Sequence, residues 1–219
     1  NPSDTPTVPV ISNVEFIKAL YHSLPDGAHI AVCSKSGDPT QGGWSAKVFT
    51  PETPFDAAQN NYLNAASYTL NAEGHLAAKK ENFVALHFLI LDDVGTKIPE
   101  ERLDGLRPSA KIETSPGNYQ ALLILEQPIT DIEVARRLQK RLIDAGLCDP
   151  GASGVCRWGR LPVGINGKPQ YRQNDGQPPQ CQLVEWNPDV RYTLDALGAC
   201  LATQITPKAL SVSRKNSVV

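Results

Sequence analysis

The stretch Phe83-Val84-Ala85-Leu86-His87-Phe88-Leu89-Ile90-Leu91 restricts the fold more than any other part of this chain. It is apolar without alternation. As a strand it must therefore be covered on both faces, which places it at the centre of a sheet. It is too short for a membrane span, which needs about 20 apolar residues, and His87 interrupts it. Two acids, Asp92-Asp93, follow at once, and the strand is expected to end there. A chain of 219 residues can bury such a strand within one large domain or two small ones.

The segments around this strand read as a mixture of helices and antiparallel hairpins, an α+β fold. Ser12 and Glu15 make a capping box, and Phe16, Ile17, Leu20 and Leu24 share one helical face up to Pro25-Asp26-Gly27. His29 to Ser34 and Trp44 to Thr50 read as strands flanking the glycine-rich loop 37–43. Tyr62 to Leu70 reads as another strand, with a turn at Asn71-Ala72-Glu73-Gly74. Ala110 to Glu113 and Tyr119 to Leu125 form a hairpin across Ser115-Pro116-Gly117-Asn118. Thr130 and Glu133 open a second helix that buries Ala135, Leu138, Leu142 and Ala145 and stops at Gly146, with Arg136, Arg137, Lys140 and Arg141 on its outer side. After a Gly- and Pro-rich segment, 149–179, Gln182 to Trp186 reads as an edge strand and Thr193 to Ala202 as a closing helix with Leu194, Leu197 and Leu201 inward. The boundaries drawn are an extended lead-in over 1–11, one domain over 12–206 and a loose tail over 207–219.

Charge narrows the function only slightly. Lys plus Arg number 21 against 23 Asp plus Glu, so any binding of nucleic acid must be local. The five cysteines are odd in number and lack CxxC spacing, which favours a reducing compartment over a disulfide framework. A zinc site from Cys148, Cys156 and Cys181 ranks below ordinary buried thiols. The chain contains no Met and no visible secretory signal, and reads as a piece of a longer protein.

Three segments carry chemistry. Asp92-Asp93, at the end of a buried strand, faces a desolvation cost that a divalent cation offsets, although paired acids also simply begin turns. Adjacent strand residues point to opposite faces, so both acids reach one ion only where the strand ends or bulges. Glu113-Thr114-Ser115-Pro116-Gly117-Asn118-Tyr119-Gln120 offers amides and hydroxyls to a phosphate, or forms an ordinary tight turn. Arg157-Trp158-Gly159-Arg160-Leu161-Pro162-Val163-Gly164-Ile165-Asn166-Gly167-Lys168 concentrates cations, an aromatic ring and glycines, as contact with a polyphosphate requires. Trp44, Trp158, Tyr62 and Tyr119 are candidates for stacking on bases, and Lys79 and Lys80 for touching backbone phosphate. Core packing and a solvated turn are the respective alternatives.

Taken in order, Asp-Asp-Val-Gly-Thr-Lys, Pro-Ser-Ala-Lys-Ile-Glu-Thr-Ser-Pro-Gly-Asn-Tyr-Gln and the Asp-Pro-Gly segment leading into Arg-Leu-Pro-Val-Gly-Ile-Asn-Gly-Lys resemble the RepB-type primase domains of phage and plasmid replication proteins, within the archaeo-eukaryotic primase superfamily. The resemblance runs from about Asn61 to Lys168. It implies a palm built on an RRM-like sheet with an N-terminal α/β unit. It also implies synthesis of primers on single-stranded DNA from nucleoside triphosphates, and a helicase or DNA-binding region in the same or a neighbouring polypeptide, in the cytoplasm of a bacterial host. By the same resemblance Asp92 and Asp93 bind Mg²⁺ or Mn²⁺, with Asp149 as the third acid. Thr114, Ser115, Asn118 and Gln120 contact the incoming nucleotide, and Arg157, Arg160, Asn166 and Lys168 hold triphosphate or template backbone.

The chain departs from the family pattern twice. The usual Asp-x-Asp is replaced by adjacent acids between Leu91 and Val94, and Gln120 stands where the second motif ends in a His. These departures keep two rivals in view: a primase fold that binds DNA or nucleotide without chemistry, and a metal-dependent nuclease using the same acids.

Overall fold

The computed structural model describes residues 8–152 and 154–204. Residues 8–11 carry no regular structure, and the tail expected from 207 onward lies outside the described residues.

The chain opens with helix α1 (Asn13–Leu20), where the capping box forms as expected. Ser12 Oγ accepts from the Glu15 N–H while the Glu15 carboxylate accepts from the Ser12 N–H. Strands β1 (His29–Lys35), β2 (Lys47–Val48), β3 (Asn60–Tyr68), β4 (Phe83–Val94), β5 (Ala110–Ser115) and β6 (Asn118–Ile129) follow, then helix α2 (Ile132–Asp144). Strands β7 (Trp158–Arg160), β8 (Gln182–Trp186) and β9 (Arg191–Tyr192) and helix α3 (Leu194–Gln204) complete the described chain.

Among the described residues, nine strands share one sheet in the order β2-β1-β3-β4-β6-β5-β8, with β7 also paired to β3 and β9 to β6. All pairings are antiparallel except β6 with β9. The N-terminal unit is thus continuous with the palm, because β1 pairs with β3 and β3 with β4. The apolar stretch of β4 lies between β3 and β6 and is buried from Ala85 to Leu91, as its lack of alternation required. Helix α2 packs on β4 and β6 through Ala135, Leu138 and Leu142, and Gly146, at φ 72, ends it by returning its N–H to the Ile143 carbonyl.

The structure corrects several expected details. Helix α1 ends at Leu20, so Leu24 lies beyond it and is exposed. The strand expected over 44–50 shrinks to Lys47–Val48, leaving Trp44 in a loop. The α2 cap is Asp131, not Thr130: its side chain accepts from the N–H groups of Glu133 and Val134. In α3, Leu197 and Leu201 face the core but Leu194 is exposed. Strand β4 does not stop before the acids but runs through them to Val94.

Candidate active site

The continuation of β4 creates the site. Leu91 stands opposite Ala121 and Val94 opposite Tyr119, so β4 carries one residue more than β6 between these pairs and bulges at Asp92-Asp93. Asp93 takes the left-handed backbone at φ 58, the one non-glycine among the described residues to do so. Asp tolerates this region better than most residues. The consequence is that two consecutive carboxylates line the same cleft, which the alternation of a regular strand forbids.

The loop after the bulge is tied to the β5–β6 hairpin. The Asp93 carbonyl accepts from the N–H groups of Lys97 and Ile98, both at 3.0 Å. Gly95, at φ 86, packs so closely on the Pro116-Gly117 turn that a Cβ there would lie 2.6 Å from the Gly117 carbonyl oxygen. Thr96 Oγ1 donates to Asn118 Oδ1 at 2.7 Å, and Asn118 Nδ2 lies 3.5 Å from Asp93 Oδ1. Asn118 and Thr114 line the same cleft as the acids. Ser115 does not line the cleft; it is buried at the turn.

The acids form part of the walls of two cavities. One, of about 270 Å³, is also lined by Trp44, Tyr62, Trp158, Arg160 and Lys168. The other, of about 670 Å³, holds Lys97, Asp149 and Arg157. Lys97 spans the acids on this side, its Nζ 2.7 Å from Asp93 Oδ2 and 3.9 Å from Asp149 Oδ2. The hydrogen bond to Asp93 raises the pKa of its ammonium. Asp149 Oδ1 meanwhile accepts from the Gly151 N–H at 2.8 Å. Among the described residues no group of three His, Cys, Asp or Glu side chains is placed to hold a metal ion. Two hard carboxylates still fit Mg²⁺ or Mn²⁺, since such ions are commonly held by one or two carboxylates, with water and substrate phosphates filling the shell.

The basic segment divides into scaffold and free cation. Arg160 is only 7% exposed. Its guanidinium donates to Asn60 Oδ1 (3.1 Å), the Ile165 carbonyl (2.7 Å) and Asn166 Oδ1 (2.7 Å), and lies 4.9 Å from the Tyr62 ring centre. Burial pushes the Tyr62 phenol up to about 12, against the opposing pull of Arg160. Asn166 spends its amide on Arg160 and the Thr114 carbonyl. Gln120 spends both ends of its side chain on Arg160, accepting from its N–H at 2.9 Å and donating to its carbonyl at 3.1 Å. Gly159 leaves room for that amide: a Cβ there would come within 3.1 Å of it. Arg157 donates to the Ile90 carbonyl at 3.0 Å and faces the second cavity instead of the first. Lys168 shares the first cleft with Arg160, Asn166 and Gln120 but differs in its partners: among the described residues its ammonium makes neither a hydrogen bond nor an ion pair.

At this site sequence reasoning missed Lys97, Thr96 and Tyr171, and Asn60, which holds Arg160. The i,i+4 spacing of Asp93 and Lys97 was the available signal for the first. Thr96 and Tyr171 carry no such local signature.

This fold is shared with solved primase and primase-polymerase domains. The primase-polymerase domain of cyanophage S-2L aligns over 89% of this chain and 97% of its own, with a TM-score of 0.59 at 17% identity. The catalytic domain of primase RepB′, solved in complex with initiator DNA, aligns over 92% of this chain and 99% of its own, with a TM-score of 0.53 at 16% identity. In sequence, residues 43–205 match the RepB DNA-primase N-terminal domain, and the chain belongs to that family. A DNA primase of Acidithiobacillus ferrooxidans is 34% identical over 102 residues, which are 45% of this chain and 29% of that protein. The chain thus spans less than a third of that relative's length. Among the described residues no helix is long and apolar enough to cross a membrane.

Proposed function

We propose that the cleft carries out metal-dependent, template-directed nucleotidyl transfer, making primers on single-stranded DNA from nucleoside triphosphates. The observation that carries this reading is the β4 bulge, which turns Asp92 and Asp93 into one cleft that Lys168 also lines. Asp92 and Asp93 would hold Mg²⁺ or Mn²⁺, and such an ion, when bound, supplies Lewis-acid activation of the α-phosphate and of the attacking 3′-hydroxyl.

The chain's own residues do the rest. Lys168 neutralises phosphate charge at the mouth of the cleft. Asn118 orients the Asp93 carboxylate, while Arg160, Asn166 and Gln120 fix the loop that carries Lys168. Lys97 holds Asp93 and would have to give up this ion pair for Asp93 to hold a metal; Asp149, the third acid of this reading, lies on the far side of Lys97 and would have to move to join the other two. A helicase or DNA-binding region elsewhere in the polypeptide or beside it, in the cytoplasm of a bacterial host, completes the proposed setting.

Binding without synthesis is the second reading. It is favoured by the Gln120 amide being spent inside the fold and by the Lys97 ammonium on Asp93. The experiment that separates the readings is primer synthesis on single-stranded DNA with nucleoside triphosphates and Mg²⁺ or Mn²⁺. Metal-dependent product supports synthesis; retained strand or nucleotide binding without product supports the binding module; shortening of the DNA would point to a nuclease.

A further inference from the structure

The proposed chemistry leaves the aromatic side of the cleft without a role. Trp44 and Trp158 stack with ring centres 5.4 Å apart and planes 9° from parallel. The two rings are held very differently. Trp158 sits on β7, paired in register with Asn64 of β3. Trp44 is 49% exposed and lies in the loop between β1 and β2, directly after Gly42, at φ 71, and Gly43. Open space surrounds both glycines. Lys35, the last residue of β1, covers the Trp44 ring at 4.8 Å and donates to the Pro39 carbonyl at 2.6 Å, so the loop is anchored at this strand end.

The pair also separates two cavities. Both rings line the cleft that holds the acids, and both line a further cavity of about 460 Å³ whose wall includes Leu76, Ala78 and the exposed Lys79. A nucleoside triphosphate needs only the first cavity. A strand that continues past the cleft needs the second, a cation along its backbone and a flat surface where it crosses.

We propose that the two indoles part to take one base of a single strand between them, Trp44 moving on its glycines and Trp158 standing fixed, with the strand running on past Lys79. In the free protein each indole shields the apolar face of the other from water while Trp44 also meets the Tyr62 ring edge-on at 4.8 Å, and base insertion exchanges the indole–indole contact for two base–indole contacts. The proposal rests on the reading of the cleft as a primer-synthesis site, but its test requires no synthesis.

The test measures binding of the whole chain to a labelled oligothymidylate and to a strand of equal length whose central nucleotides are abasic, without metal or nucleotide. The ratio of the two affinities isolates stacking from phosphate contacts. Wild type should favour the base-bearing strand by about 10- to 100-fold, the range expected for one or two stacking contacts. Trp44→Ala should reduce the ratio to near one, and Trp44→Phe should restore part of it. A wild-type ratio near one, or an undiminished ratio in Trp44→Ala, overturns the proposal. So does loss of the wild-type ratio under saturating nucleoside triphosphate, which would assign the rings to the incoming base. A full ratio in a protein that makes no primers would sink the synthesis reading and leave the base clamp standing.

Discussion

Asp92 and Asp93 are consecutive in the chain yet open into one cleft, because Asp93 adopts φ 58 within a bulge that β6 does not match. The family pattern reaches the same end by placing a spacer between its acids. In this chain the backbone performs the spacer's task.

Substituting both acids by Asn keeps the left-handed conformation within reach while removing both charges. Asp92→Asn with Asp93→Asn should fold with a stability close to wild type and lose synthesis by more than about a hundredfold, the effect of forfeiting several kcal/mol of charge stabilisation. Primer assays paired with urea titrations check this. Near-normal synthesis from the folded variant would remove the acids from the reaction.

Arg160 and Lys168 line the same cleft but should respond oppositely. Arg160→Ala deletes a buried hub and orphans oxygens of Asn60, Ile165 and Asn166, so about 2–4 kcal/mol of stability should be lost. Lys168→Ala should leave stability within about 0.5 kcal/mol and weaken triphosphate binding roughly tenfold, as expected for one charge-assisted bond. Urea midpoints and a triphosphate titration separate the two, and a destabilised Lys168→Ala with intact binding would reverse the assignment.

Gly95 should prove irreplaceable for function before it does so for folding. Gly95→Ala places a Cβ against the Gly117 carbonyl and strains a backbone at φ 86, so the loop must withdraw from the hairpin. A cost of about 1–3 kcal/mol is expected. Since Thr96 and Asn118 link this loop to Asp93, Mn²⁺ affinity should fall as well. Unchanged Mn²⁺ binding, followed by the ion's own paramagnetic signal, would show that the contact does not position the acid.

What was legible in the sequence is what local chemistry determines. The Ser12–Glu15 capping box spans one helical turn, and the unbroken apolar run of β4 states its own burial. The acids were visible as candidates, but their shared direction depends on how β4 registers against β6, which no short window contains. The polar segments were legible in their chemistry but not in their partners. Gln120, Arg160 and Asn166 have the chemistry of phosphate ligands, yet they bond to one another and to Asn60 and Thr114, positions far away in the chain. Trp44 reads as a strand residue in the sequence, whereas its ring partners, Tyr62 and Trp158, lie on distant strands.

His87, the interruption in the central strand, should make the fold sensitive to acid. It is buried, shares a hydrogen bond with Ser67 Oγ at 2.8 Å and packs on Tyr21 at 4.3 Å between ring centres. Burial, and secondarily the nearby His22, lower its pKa from 6.5 to about 3. The unfolded chain takes up this proton near pH 6.5, and the folded chain does not until about pH 3. Between those values the unfolded state binds more protons, so the contribution of neutral His87 is complete above pH 6.5 and drains away as pH falls toward 3, at up to about 1.4 kcal/mol per pH unit. From pH 7 to pH 5 this one group should cost about 2 kcal/mol. His87→Gln retains a partner for Ser67 but cannot titrate, so its stability should fall less over that interval by about the same amount. Equal losses in wild type and His87→Gln, measured by urea unfolding at both pH values, would show that His87 is not the group through which acid acts.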